Sequence, residues 1–504
     1  MDKNKKCKIY FKKRLTNLKY LFNIELTTRR AEEEGETRPF QLYIAERMRS
    51  MSVNTLDILA EKSEEVDLNS LPKEVIQKAK ISLMDALECC IETINDIRLQ
   101  GTYQAISKIF PEVGEESGGA TLFGASGLSD AKNAAFYNVV TGSISARNDI
   151  HKEGSSHPGE SVVPAALALA EVHHRSGKAV LESIVMGYET MIRLGKTLKS
   201  GSAPASPSLR RAALPVPLGI AFTAAKVLGF SREKTANAAA LSCNNLCGVN
   251  EWRIWGTGED VFQNAWAASN GIFAAELAQA GVQGASLNLE GEYGLLSVFG
   301  AEKNSAMMAE GFGKQFEMLN TMNKPVAACL SIQAPCQLAQ DLLDDPSFSL
   351  DLLDYIEVRV SSHIMEAPWY ARKDVDNQVS AILSVPYGIS AVLAAGNISL
   401  MKWAPPYEDK IYHLMQKCRM VYDGFSEAHL EPSGFQVTAV MKDGSKIQKT
   451  RLDFSALSDG EVEDRFFNTM ARHFDMGKAE KMLDMAKHLE EIPDAASFSV
   501  LFRK

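Results

Sequence analysis

The chain has 504 residues, 45% of them hydrophobic and 23% charged, enough for more than one domain with a sizeable core. A net charge of −9, with no basic patch interleaved with aromatics, argues against a nucleic-acid binder. The longest apolar runs, such as Val162 to Ala170, are too short to span a bilayer.

The first 30 residues hold ten Lys or Arg against two acids. They lack the apolar core of a secretory signal and are Lys-rich where a mitochondrial transit peptide is Arg- and Ser-rich. Residues 1–51 are therefore expected to be a disordered basic extension, with Met48 or Met51 as alternative starts. The eight cysteines form no CxxC pair. Cys243 and Cys247, one helical turn apart, read as small buried residues of an alanine-rich helix rather than as ligands. Reduced thiols and a cytoplasmic protein are expected, mitochondrial if the basic start is a transit peptide.

From about Thr55 the apolar spacing is helical. Pro72 opens a helix in which Val75, Ala79, Leu83, Ala86 and Leu87 recur at helical intervals. Further helices are expected over Ala165–His174 after Pro164, over Leu181–Leu194, over Ala213–Leu228 up to a capping Gly229, from Ser231 onward, and over Phe262–Ala280. The pattern changes near Asn320. Ile356–Val360 alternates as a strand, and Gln436–Met441 and Lys446–Gln448 flank Lys442-Asp443-Gly444-Ser445 as a hairpin. Pro386–Ala395 and Glu408–Val421 look helical, and the tail from Glu461 is helical again. The expected fold is mainly α: a large all-helical domain built from residues 52–320 and 455–504, with a smaller α+β lid domain over 321–454 between them.

The densest chemistry lies in Asn148-Asp149-Ile150-His151-Lys152-Glu153-Gly154-Ser155-Ser156-His157-Pro158-Gly159. Titratable groups on a loop held by a buried helix suit acid–base work. His157 is the first candidate for general acid or base, against a purely helix-capping role. His151, six residues away, is a candidate partner acid or substrate donor. Asp149 either orients a histidine or caps a turn. Arg210 and Arg211 precede a buried helix, where a cation opposes the helix dipole unless an anion joins it; arginine suits bidentate carboxylate binding, and a surface ion pair is the alternative. Arg147 and Arg253 are weaker candidates of the same kind. Glu259 and Asp260 read either as a replacement base or as an acidic helix start. No HExxH motif, facial triad or glycine-rich phosphate loop is present, so no metal and no cofactor is expected.

Thr121-Leu122-Phe123-Gly124, Asn133–Asn138, Asp149-Ile150-His151, His157-Pro158-Gly159 and Val163–Glu171 occur in an order and spacing that resemble the MmgE/PrpD family. Lys226–Phe230, Trp266-Ala267-Ala268, Leu289–Gly294, Lys324-Pro325 and Ser384–Tyr387 continue the resemblance to near the end of the chain. That family includes 2-methylcitrate dehydratases, cis-aconitate decarboxylases and an iminodisuccinate epimerase. The resemblance implies a helical domain with an α+β lid, a site between them and a homodimer. It places Lys324 as partner to a substrate carboxylate and Tyr387 as a proton or hydrogen-bond donor.

The chain also departs from the family. Its Asp-x-Asp-Asp-Thr run reads Ala146-Arg147-Asn148-Asp149-Ile150 here, and Arg210, Asp260 and Gln263 stand where a histidine, a lysine and a histidine are expected. The implied activity is a cofactor-independent lyase of the dehydratase type, acting beside a carboxylate on a small di- or tricarboxylic acid. A cis-aconitate-type decarboxylase, a dicarboxylate epimerase and a non-catalytic carboxylate-binding relative are the alternatives.

Overall fold

The computed structural model describes residues 54–95, 118–202, 208–246, 248–429 and 434–504, with a few residues between them. The basic extension, Cys7, Cys247 and most of 203–207 lie outside the described residues. The chain is mainly helical with a small mixed sheet, as the periodicity predicts.

The longer helices are α1 (Thr55–Glu65), α2 (Lys73–Glu92), α3 (Ala131–Ile144), α4 (Pro158–Val172), α5 (Gly177–Lys199), α6 (Val216–Leu228), α7 (Arg232–Ser242) and α8 (Asp260–Gln279). After them come α9 (Leu330–Leu343), α10 (Val385–Ala395), α11 (Asp409–Lys417), α12 (Asp459–His473) and α13 (Met476–Lys487). Their ends follow local chemistry. Asp130 caps α3 by accepting the Asn133 N–H at 3.0 Å, Ser458 and Glu461 form a capping box on α12, and Gly229 ends α6 in the left-handed region at φ 66°. Close helix approach depends on small residues: a Cβ on Gly187 of α5 would lie 2.2 Å from Thr223 Oγ1 of α6.

Two short strands, β1 (Ala120–Thr121) and β2 (Leu128–Ser129), pair antiparallel. The larger sheet has the order β4-β3-β5-β6, from β3 (Leu353–Arg359), β4 (Cys418–Val421), β5 (Phe435–Met441) and β6 (Lys446–Arg451). β3 and β4 are parallel, and β5 runs antiparallel to both β3 and β6. Most buried apolar side chains fall into two clusters. One draws on Leu56–Met318 and again on Val462–Phe502; the other draws on Ile150 and on Val326–Phe454.

Three expected elements are redrawn. The helix expected after Pro164 begins at Pro158, where a missing N–H costs nothing, and Pro164 sits inside it. Arg211–Ala213 is a 3-10 turn, and the α-helix starts only at Val216. The segment Glu408–Val421 divides into α11 and β4, because pairing with β3 draws Cys418–Val421 into extended form. Alternation over four residues is too short to announce a strand.

Candidate active site

α3 ends at Ile144, and Ala146 turns the chain through the left-handed region at φ 53°. That turn aims the Ala146 carbonyl at Lys324, whose Nζ donates to it at 2.6 Å and to the Ala328 carbonyl at 3.2 Å. Lys324 is held there because Ile150 and Met322 exchange backbone hydrogen bonds, both 2.9 Å. Burial lowers the Lys324 pKa, and no carboxylate lies within ion-pair distance among the described residues.

His157 is the N-cap residue of α4. Its Nδ1 lies 2.7 Å from the Asp149 carbonyl, which can only accept, so Nδ1 carries the proton and Nε2 the lone pair. Burial, then the charges of Lys324, Arg210 and Arg253, push the imidazole down to about 3, so it is neutral. Asp149 acts on His157 through its backbone. Its own carboxylate accepts from Tyr188 Oη at 2.8 Å and from the Gly159 N–H at 3.0 Å, and burial followed by the charge of Asp85 raises it to about 7.

His157, Glu160, Arg210, Arg253, Asp260 and Lys324 line one cavity of about 510 Å³. Trp252, Val379 and Leu383, a small apolar cluster of their own, complete much of its wall with Cys329 and Asn377. Arg210 donates to the Asp260 carbonyl and lies 3.9 Å from that residue's carboxylate. Asp260 is thereby the counter-ion of Arg210 at the start of α8. Arg253 is placed between the rings of Trp252 and Trp369, 5.1 and 5.3 Å from their centroids. Its buried Nε has no hydrogen-bond partner among the described residues. Such a guanidinium is pre-oriented for an anion. Among the described residues no group of three or more His, Cys, Asp or Glu is placed to hold a metal ion.

Six sequence candidates do not line this cavity: Asp149, whose carboxylate is held by Tyr188 and Gly159, and five more that are each committed elsewhere. His151 is buried on the far side of its loop, accepting the Gly154 N–H on Nδ1 at 2.9 Å, with Nε2 3.5 Å from Glu317; burial lowers it to about 4. Arg147 pairs with the buried Glu88. Arg211 borders a small separate crevice with Gly154 and Phe299. Gln263 donates to the Val249 carbonyl at 2.9 Å, beneath the bridge between Leu209 and Val249 that presents Arg210. Tyr387 is fully buried, its hydroxyl on the Lys402 carbonyl and its ring against Trp403 and Tyr407.

The sequence reading missed Glu160, Asn148 and Asn264. Glu160 is 5% exposed, and its two oxygens receive the side-chain amides of Asn264 and Asn148. Starting α4 at Pro158 would have revealed it, because Glu160 then falls on the first turn beside His157.

The fold and the cavity define a mainly helical protein with a neutral imidazole, and with Lys324 and Arg253 lacking an ion-pair partner among the described residues, in a metabolite-sized chamber. The chain belongs to the MmgE/PrpD family: the family's N-terminal domain matches residues 57–307 and its C-terminal domain matches residues 326–491. It is also similar to the cis-aconitate decarboxylase-like protein oryM of Aspergillus oryzae, at 22% identity over 477 residues, covering 87% of this chain and 95% of that protein.

Proposed function

We propose that the protein is a lyase that abstracts a proton next to a carboxylate of a small di- or tricarboxylic acid and expels water from the adjacent carbon. The observation that carries this reading is His157: a neutral imidazole with its Nε2 lone pair free, in the same cavity as Lys324 and Arg253. A carbon acid beside a carboxylate is very weak, so its removal needs a fixed base together with cations for the charge that develops. Lys324 and Arg253 supply that positive field. A base near 3 is weak; burial is the main cause and stays in place, while substrate carboxylates offset the smaller lowering by Lys324 and Arg253.

In this reading residues 321–454 act as a lid over the cavity. Trp266 and Phe273, 54% and 48% exposed on α8, are the surface offered to a second copy of the chain. The similarity to a cis-aconitate decarboxylase-like protein favours loss of CO₂ as a second reading. Proton NMR in D₂O with 2-methylcitrate, cis-aconitate, malates and tartrates separates the two. Dehydration gives an alkene signal with carbon conserved, and decarboxylation releases CO₂. Binding of these acids with neither change and no deuterium uptake refutes both.

A further inference from the structure

His157 and Glu160 occupy the N-cap and third positions of α4. Residues three apart share a helix face with Cβ atoms roughly 5–6 Å apart, and both side chains border the same cavity. Glu160 is met there by neutral amides, not by an ion pair. Burial raises its pKa, with Asp260 acting the same way, and outweighs the lowering by Arg210, the Asn148 amide and Lys324. Asn264 Oδ1 is buried without a partner among the described residues, so a turn of that amide offers an acceptor to a carboxylic O–H.

We propose that Glu160 is the general acid that protonates the departing hydroxyl, beside His157 as the base. The assignment rests on the lyase reading above. Nε2 of His157 takes the α-proton, and the electron pair left behind becomes the carbon–carbon double bond as the C–O bond breaks. The Glu160 carboxyl delivers its proton to the leaving oxygen, and water departs. Imidazolium and carboxylate remain, and transfer of one proton from His157 to Glu160 through the released water restores both. The sum is hydroxy acid to unsaturated acid plus water.

The test uses leaving groups. 2-Methylcitrate, malate and tartrate are each compared with the analogue carrying chlorine in place of the leaving hydroxyl, which departs as chloride and needs no acid. E160Q is expected to slow elimination from the hydroxy acids by roughly 10²–10⁴-fold, while chloride elimination stays within a few-fold of wild type. Equal loss on both series, or no loss on either, overturns the assignment. Should E160Q fail to fold, Glu160→Asp, which shortens the reach by one methylene, carries the same comparison. Wild-type protein that eliminates from neither series overturns the lyase reading itself, and the assignment with it.

Discussion

Arg465 on α12 ties the return of the chain to His157. Its guanidinium pairs with Asp85, its Nε lies 3.3 Å from Glu88, and Nη1 donates to the Lys324 carbonyl at 3.0 Å. Asp85 in turn accepts the Asp149 N–H at 3.1 Å, and the carbonyl of Asp149 holds His157. Asp85 and Glu88 are almost wholly buried. Arg465→Met leaves Glu88 with Arg147 but strips Asp85 of its cation. Removing one partner of a buried pair costs about 3–5 kcal/mol. The expected result is a loss of that size in urea unfolding, taken from the shift in midpoint at unchanged m. In an Asp85→Asn background the same substitution should cost less than it does in the wild type, because the two residues share one network. Arg465→Lys should recover only part, since an ammonium lacks the planar fork that reaches three acceptors. A loss below about 1 kcal/mol, or strict additivity of the double variant, refutes the reasoning.

Three further outcomes follow from the same geometry. The His157 ring, followed by nitrogen-15 NMR in the ligand-free protein, should stay neutral with Nδ1 protonated from about pH 8 to 5, since its pKa lies near 3. Because that value is below the unfolded one, its contribution to stability is whole above about pH 6.5 and declines as pH falls toward 3; a ligand-free titration at the ordinary histidine value contradicts the burial argument. Arg253→Met should raise KM about 10- to 100-fold with little change in kcat, the signature of a lost carboxylate contact, and lysine should not restore it; an unchanged KM in steady-state assays removes Arg253 from substrate binding. Gly159→Ala should destabilise by about 1–3 kcal/mol, because its Cβ would meet Tyr188 Oη at 2.7 Å and Asp149 Oδ1 at 3.1 Å; a neutral effect on thermal unfolding shows that the Asp149–Tyr188 contact yields freely.

The helical elements were readable because caps and apolar spacing are local: Asp130, Ser458 and Gly229 mark ends that need no tertiary information. β4 was not readable, because its extended form depends on pairing with β3, some sixty residues earlier. His157 and His151 look alike in sequence, six residues apart on one loop. What separates them is direction. The bridge between His151 and Ser156 folds the intervening residues into a tight turn, sending one ring toward Glu317 while the other, at the start of α4, meets the Asp149 carbonyl. Arg147 and Arg210 both read as anion receptors, yet each is claimed by an acid far along the chain, Glu88 and Asp260. No local pattern carries that information.

The cations of the cavity differ in what they are tied to, and that difference sets the chemistry. Arg210 is paired with Asp260, so part of its charge is already balanced. Lys324 rests on two carbonyls and Arg253 on two aromatic faces, partners that orient a cation without neutralising it. Burial raises the Glu160 pKa, and these two cations, with no ion-pair partner among the described residues, face a chamber of about 510 Å³. A dicarboxylate supplies two negative charges and a monocarboxylate only one. In the proposed reaction the second charge offsets more of the lowering that Lys324 and Arg253 exert on His157, leaving burial as the main cause. Under the proposed function, substrate charge is thereby coupled to basicity: a doubly charged acid offsets more of the cationic lowering of His157 than a singly charged one.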